Sequence, residues 1–158
     1  MIAFTLDNLK LLCEVIDKSY PIEACGVIIG IKNDAWIAKE IVPTRNELKS
    51  SIRFKIPAED FYNADKKAEK LGFEIIGIFH SHIDQKPYLS KYDVEYAKWT
   101  PEQVWVVIGY YKKEKKAEMK AFLKEKEIKI KIGEKIFNEV VFECSKWNLD
   151  AHRAKILP

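Results

Sequence analysis

The sequence is short of several things, and each shortage excludes something. No stretch approaches the roughly 20 apolar residues that a helical membrane span needs. The first twenty residues carry Asp7, Glu14 and Asp17 within their apolar pattern. That breaks the uninterrupted apolar region of a secretory signal, so a soluble, cytoplasmic chain is expected. There are only three cysteines, Cys13, Cys25 and Cys144, with no CxxC spacing. An odd number so spaced points to reduced, mostly structural thiols rather than a disulfide framework. Glycine and proline number six each, with no repeat and no Gly/Ser-rich linker, which argues against a collagen-like or low-complexity chain. Only Arg45, Arg53 and Arg153 are arginine, and only Gln85 and Gln103 are glutamine.

What is present fits one globular domain. At 158 residues and 18.4 kDa, with 47% apolar residues, the chain buries roughly 70% of its unfolded surface and needs no staples. Lysine (24) and glutamate (16) dominate the charged 32%. Lys/Glu enrichment with few thermolabile amides is the signal of heat-adapted proteins. Residues 111–135 hold ten Lys and five Glu. Their aromatics are Tyr111 and Phe122, with no arginine, whereas stacking readers of nucleic acid interleave aromatics with cations. A solvated strand pair is the better reading, and no nucleic-acid partner is expected.

Apolar spacing predicts an amphipathic helix over 6–18, stopped by Pro21. Two apolar runs, 24–31 and 35–42, flank the turn signal Lys32-Asn33-Asp34 and predict a β-hairpin. Residues 44–54 read as a polar loop ending in an extended piece at Phe54. Pro57 fits the first turn of a helix that stops at Gly72. Phe73–Phe79 reads as a central strand, 80–89 as a loop, Ser90–Trp99 as a short helix and Val104–Tyr111 as a strand. Weaker strands are expected at 118–123, 128–132 and 140–142. The order suggests a mixed sheet flanked by helices, an α/β fold.

Two of the three histidines stand together in Gly77-Ile78-Phe79-His80-Ser81-His82. Residues two apart on an extended chain face the same side, so His80 and His82 present both imidazoles to one point. Asp93 opens the next helix and supplies a carboxylate. Two histidines and one carboxylate leave a fourth tetrahedral position open, the layout of a catalytic zinc. Such a site needs a base, for which Glu23 is a candidate, and a donor to the developing oxyanion, for which Ser90 is a candidate. Ser90-x-x-Asp93 also reads as a helix capping pair, and capping and catalysis are compatible. Cys25 is expected to be a small buried residue near this point. A zinc nucleobase deaminase would need H-x-E and P-C-x-x-C, and neither is present.

The pattern His80-Ser81-His82, seven residues, Ser90-Lys91-Tyr92-Asp93 resembles the signature of the JAMM (MPN+) zinc metalloproteases. Pro21–Gly30 is similar to that family's upstream glutamate segment, and Asn46, Ser50 and Phe54 to its polar loop. The resemblance implies a cytidine-deaminase-like α/β fold over residues 1–125, with 126–158 a C-terminal extension of unassigned role. It implies Zn2+ on His80, His82 and Asp93, Glu23 as general acid/base and Ser90 as oxyanion stabiliser. It implies cleavage of peptide or isopeptide bonds after the C-terminal tail of a ubiquitin-like or sulfur-carrier protein, with that tail laid along a strand edge. Ile83 stands where the family usually has proline, which loosens the loop leaving the metal.

Overall fold

The computed structural model describes residues 1–145 and the backbone of 156–157. In chain order the elements are β1 (Ile2–Phe4), α1 (Leu6–Ser19), β2 (Cys25–Lys32), β3 (Trp36–Thr44), α2 (Ala58–Leu71), β4 (Glu74–Ile83), α3 (Lys91–Ala97), β5 (Val104–Tyr111), β6 (Lys116–Leu123), β7 (Lys126–Ile128), β8 (Ile130–Ile132), β9 (Lys135–Phe137), β10 (Val140–Glu143) and β11 (Ile156–Leu157). They form one mixed sheet in the order β11-β10-β6-β5-β4-β2-β3-β1-β8-β9, with β7 pairing to β6. Beyond the expected strands, the structure adds the short β1, β7, β9 and β11. Two or three residues carry too little period to read.

Helix α1 opens on a capping box. The Thr5 hydroxyl accepts from Asn8 N–H, and the Asn8 side chain accepts from Thr5 N–H, satisfying two of the orphan donors at its start. Its stripe of Leu9, Leu12, Cys13 and Ile16 is buried. These side chains share one core with Ile2, Phe79, Ile108, Met119, Ile130 and Phe142. The sheet therefore curls about α1, bringing strands from both ends of the order onto one helix. Helix α2 covers the other face, where Ala64 and Ala68 pack with Val27, Ile78 and Val107. Pro57 is its N-cap rather than its first residue, and Gly72 ends it at φ 75°, a left-handed conformation that glycine adopts freely.

Two expectations are corrected. The loop read at 80–89 begins later, because β4 runs on to Ile83. His80 to Ile83 pair in parallel with Val107 to Tyr110 of β5, so the polar residues keep their ladder. Their side chains find partners within the fold, which polarity alone did not reveal. The cysteines are not all reduced either. Cys13 on α1 and Cys144 after β10 form a disulfide with Cα atoms 5.5 Å apart, and Cys25 is the free, buried thiol. Spacing along the chain carried no sign of this pair, since 131 positions separate its halves. No described helix is long and apolar enough to cross a membrane.

Candidate metal centre

Strand β4 is flanked by β2 and β5. Alternation turns Phe79 toward the α1 core and His80 toward the α2 side, where Phe54 stacks on its ring at 4.4 Å. His82 follows on the same side. Helix α3 brings the carboxylate: Ser90 is its N-cap and Asp93 its third residue, and both halves of the capping box are present. Ser90 Oγ accepts from Asp93 N–H at 3.1 Å, and Asp93 Oδ2 accepts from Ser90 N–H at 2.9 Å. The hydroxyl proton of Ser90 stays available to donate. The capping pair is therefore formed as expected, and it leaves that proton free for a further acceptor.

Three ligand-type atoms converge. His80 Nε2 lies 3.3 Å from His82 Nε2 and 3.1 Å from Asp93 Oδ2, and His82 Nε2 lies 3.2 Å from the same oxygen. Ligands at about 2.0–2.1 Å in a tetrahedron sit ~3.3 Å apart. The observed triangle fits zinc without rearrangement, and the donor set of two imidazoles and a carboxylate suits it. All three residues are buried.

Each of the three side chains is held differently. His82 Nδ1 lies 3.1 Å from the Lys86 carbonyl. A carbonyl only accepts, so Nδ1 carries the proton and Nε2 presents its lone pair to the triangle. His80 Nδ1 has no hydrogen-bond partner. Its ring stacks on Phe54, which also stacks on Tyr96, and meets Trp105 at an interplanar angle of 75°. Burial pushes the His80 imidazole below its ordinary pKa, against the pull of Asp93. Burial raises the Asp93 carboxyl, but His80, His82 and Ser90 N–H outweigh this and hold it well below the usual carboxylate range. The His80 lone pair and the Asp93 charge are thus kept for a cation. On His82 burial lowers the pKa, but Asp93, Glu23 and the Lys86 carbonyl outweigh it and raise it, so a cation there competes with a proton.

Glu23 reaches the same place from the loop before β2. Its N–H donates to Ser50 O at 2.9 Å, and its carbonyl accepts from Asn46 Nδ2 at 3.1 Å. Its side chain is buried, with Oε1 unpartnered. Burial pushes the carboxyl up to about 7, with His82 lowering it and Asp93 raising it. Such a carboxyl takes up and releases a proton near neutral pH. A cavity of about 240 Å3 opens on Glu23, His82 and Ser90, rimmed by Ile52, Tyr88 and Tyr92. Beside it runs a wider groove of about 680 Å3 between the 44–57 loop and α3. The sheet path ends at β9 and β11, and β7 lies beside β6 as a further edge, so β4, the strand of the two histidines, is an interior strand. The motif spacing points to neither Tyr96 and Trp105 in the aromatic wall near His80 nor the Lys86 carbonyl. Phe54, an apolar residue closing a polar loop, was the one visible sign of that wall.

The mixed sheet has a fold shared with solved structures, a JAB1/MPN domain protein among them. A solution structure of a protein from Desulfitobacterium hafniense matches it at a TM-score of 0.74 and 23% identity, over 85% of this chain and 94% of that one. A JAB1/MPN domain protein from Archaeoglobus fulgidus matches at 0.52 and 16% identity, over 84% and 98%. These likenesses concern the fold. The sequence matches the family described as prokaryotic homologs of the JAB domain over residues 9–123, and the chain belongs to that family. A desampylase of Pyrococcus furiosus is 32% identical over 122 residues, covering 77% of this chain and 80% of that protein. A desampylase of Haloferax volcanii is 28% identical over 88 residues, covering 55% and 62%.

Proposed function

We propose that the chain is a zinc-dependent isopeptidase or peptidase of the JAMM type, acting in the cytoplasm on bonds that follow the C-terminal tail of a ubiquitin-like or sulfur-carrier protein. The observation that carries this reading is the triangle of ligand atoms, 3.1–3.3 Å on a side, with a buried, unpartnered carboxylate beside it. The two desampylase relatives support the choice of a ubiquitin-like modifier as substrate.

His80, His82 and Asp93 would hold the metal. Zinc bound there supplies Lewis acidity to a carbonyl oxygen and lowers the pKa of water. Glu23 Oε1, free of hydrogen bonds and near neutral in pKa, takes the proton of the attacking water and returns it to the leaving amine. The hydroxyl of Ser90, its lone pair engaged by Asp93 N–H, donates to the oxyanion. Phe54, Tyr96 and Trp105 exclude water from the back of His80. The wider groove, with Arg53 over the Tyr92 ring and Trp99 at its rim, receives the extended tail.

The test pairs metal analysis with cleavage of a ubiquitin-like modifier in isopeptide linkage, with and without chelator. About one zinc per chain, and cleavage abolished by chelator and by H80A or H82A, is the expected result. Full zinc occupancy in the double variant would remove the assignment. Zinc retained with no turnover on any such conjugate would leave a binding module.

A further inference from the structure

We infer that Gly109, Asp84 and Tyr20 are positioning residues for the metal centre: they seat the loop 84–87 so that the Lys86 carbonyl meets His82 Nδ1. The inference rests on the metal reading above and concerns residues that touch neither metal nor substrate.

The loop leaves β4 directly after His82 and Ile83, with isoleucine rather than proline at its threshold. Its first residue, Asp84, adopts φ 51°, a left-handed conformation that Asp and Asn tolerate better than other side chains. Three bonds hold it there. Asp84 N–H donates to the Tyr110 carbonyl at 2.9 Å. Its Oδ1 accepts from Lys112 N–H at 3.1 Å, and its Oδ2 accepts from the Tyr20 hydroxyl at 2.6 Å. Tyr20 is the C-cap of α1, three residues before Glu23. One phenol therefore ties the exit of the histidine strand to the segment that delivers the glutamate.

The rest of the loop lies on β5. Gly109 pairs in register with His82. A Cβ placed on it would stand 2.2 Å from Gln85 O and 3.1 Å from both the nitrogen and Cδ of Pro87. The atoms in the way at the nearest point are backbone, so the loop would have to lift. Lys86 lies between those two residues, and its carbonyl is the acceptor that fixes the proton on His82 Nδ1 and aims Nε2. A methyl group at 109 thus reaches the metal through one displaced peptide. Partners of ligating histidines are typically worth 10–100-fold in metal affinity.

The experiment measures zinc affinity by competition against a chromophoric chelator, alongside the melting point of the zinc-free protein, for wild type, G109A, D84A and D84N. The expected result is a 10–100-fold loss of zinc affinity in G109A and D84A. D84N should stay within about threefold of wild type, because its amide oxygen still accepts from Lys112 N–H, its amide N–H can donate to the Tyr20 oxygen with the phenol turned to accept, and Asn tolerates the left-handed backbone. A role confined to folding predicts lower melting points with unchanged zinc affinity, and that outcome overturns the inference. Should G109A fail to fold, the D84A/D84N pair decides: equal zinc affinity in the two overturns it. Wild type that takes up no zinc overturns the metal reading and this inference together. Wild-type uptake with unchanged affinity in the variants overturns this inference alone.

Discussion

Replacing Glu23 by glutamine should make the zinc-free protein more stable at alkaline pH while abolishing turnover. The Glu23 side chain is buried, and Oε1 has no partner. Burial raises its pKa from 4.5 to about 7. The folded state therefore binds the proton more tightly than the unfolded one. The associated stability is complete below about pH 4.5 and is lost as pH rises through 7. Above pH 8 the loss reaches at most about 3 kcal/mol, and between pH 5 and pH 8 it grows by about 2 kcal/mol. Glutamine does not titrate, so its own desolvation cost is the same at every pH. The quantity to read is the difference between the two proteins as a function of pH. Thermal melts in chelator should show glutamine gaining roughly 4–8 °C on wild type between pH 5 and pH 8, for a chain of this size. The zinc-loaded variant should keep its metal, because Glu23 is not a ligand, and should lose a factor of about 10²–10⁴ in single-turnover cleavage. Parallel melting curves across this pH range would refute the burial argument. Activity within threefold of wild type would remove Glu23 from the mechanism.

Ser90→Ala should retain zinc and lose about 10²–10³ in kcat, with a cap loss near 1 kcal/mol; a pure cap predicts the stability loss with turnover per folded molecule unchanged. Reducing the Cys13–Cys144 bond, or C144S, should lower stability by up to about 5 kcal/mol, the chain-entropy figure for so long a loop, and speed amide exchange in β10; an unchanged midpoint in reductant would count against the bond. Asp17 accepts from Lys112, Lys115 and Tyr110, and the two lysines lead in holding its carboxyl well below the usual range. Its contribution is present above about pH 4 and fades as pH falls below it, so wild type and D17N should converge in acid and in high salt. The Lys/Glu-rich composition predicts a melting point above about 60 °C, beyond the mesophile range.

Local periodicity made α1, the β2–β3 hairpin, α2 and β5 legible from residues alone. These elements carry their own start and stop signals, such as the Gly72 cap and the turn at 32–34. After residue 111 the strands expected at 118–123, 128–132 and 140–142 coincide with β6, β8 and β10, but nothing in the sequence sets which partners the three-residue strands β7, β8 and β9 take. They exist through pairing, β8 with β1 in parallel and with β9 across a turn at Gly133. No three-residue window announces a partner more than a hundred positions away. The Cys13–Cys144 bond escaped for the same reason.

In the site, spacing two apart on a strand and one helical turn from a cap sufficed to bring His80, His82 and Asp93 under suspicion. Spacing says nothing, however, about how Glu23, 57 residues earlier, arrives beside them. The structure answers with the serine between the two histidines. Alternation turns Ser81 away from His80 and His82, and its Oγ accepts from Ala24 N–H at 2.8 Å while its own N–H donates to Ala24 O at 3.0 Å. Both bonds are made to the residue next to Glu23. From the other side, Asn46 and Ser50 hold the Glu23 backbone from the 44–57 loop, the same loop whose Phe54 stacks on His80. The middle residue of the histidine pair thus fastens the carboxylate strand to the ligand strand, and one loop braces both. Two of the three residues in His-Ser-His face the candidate metal centre and the third holds the segment that carries Glu23, so ligand spacing alone carries no sign of how the glutamate arrives.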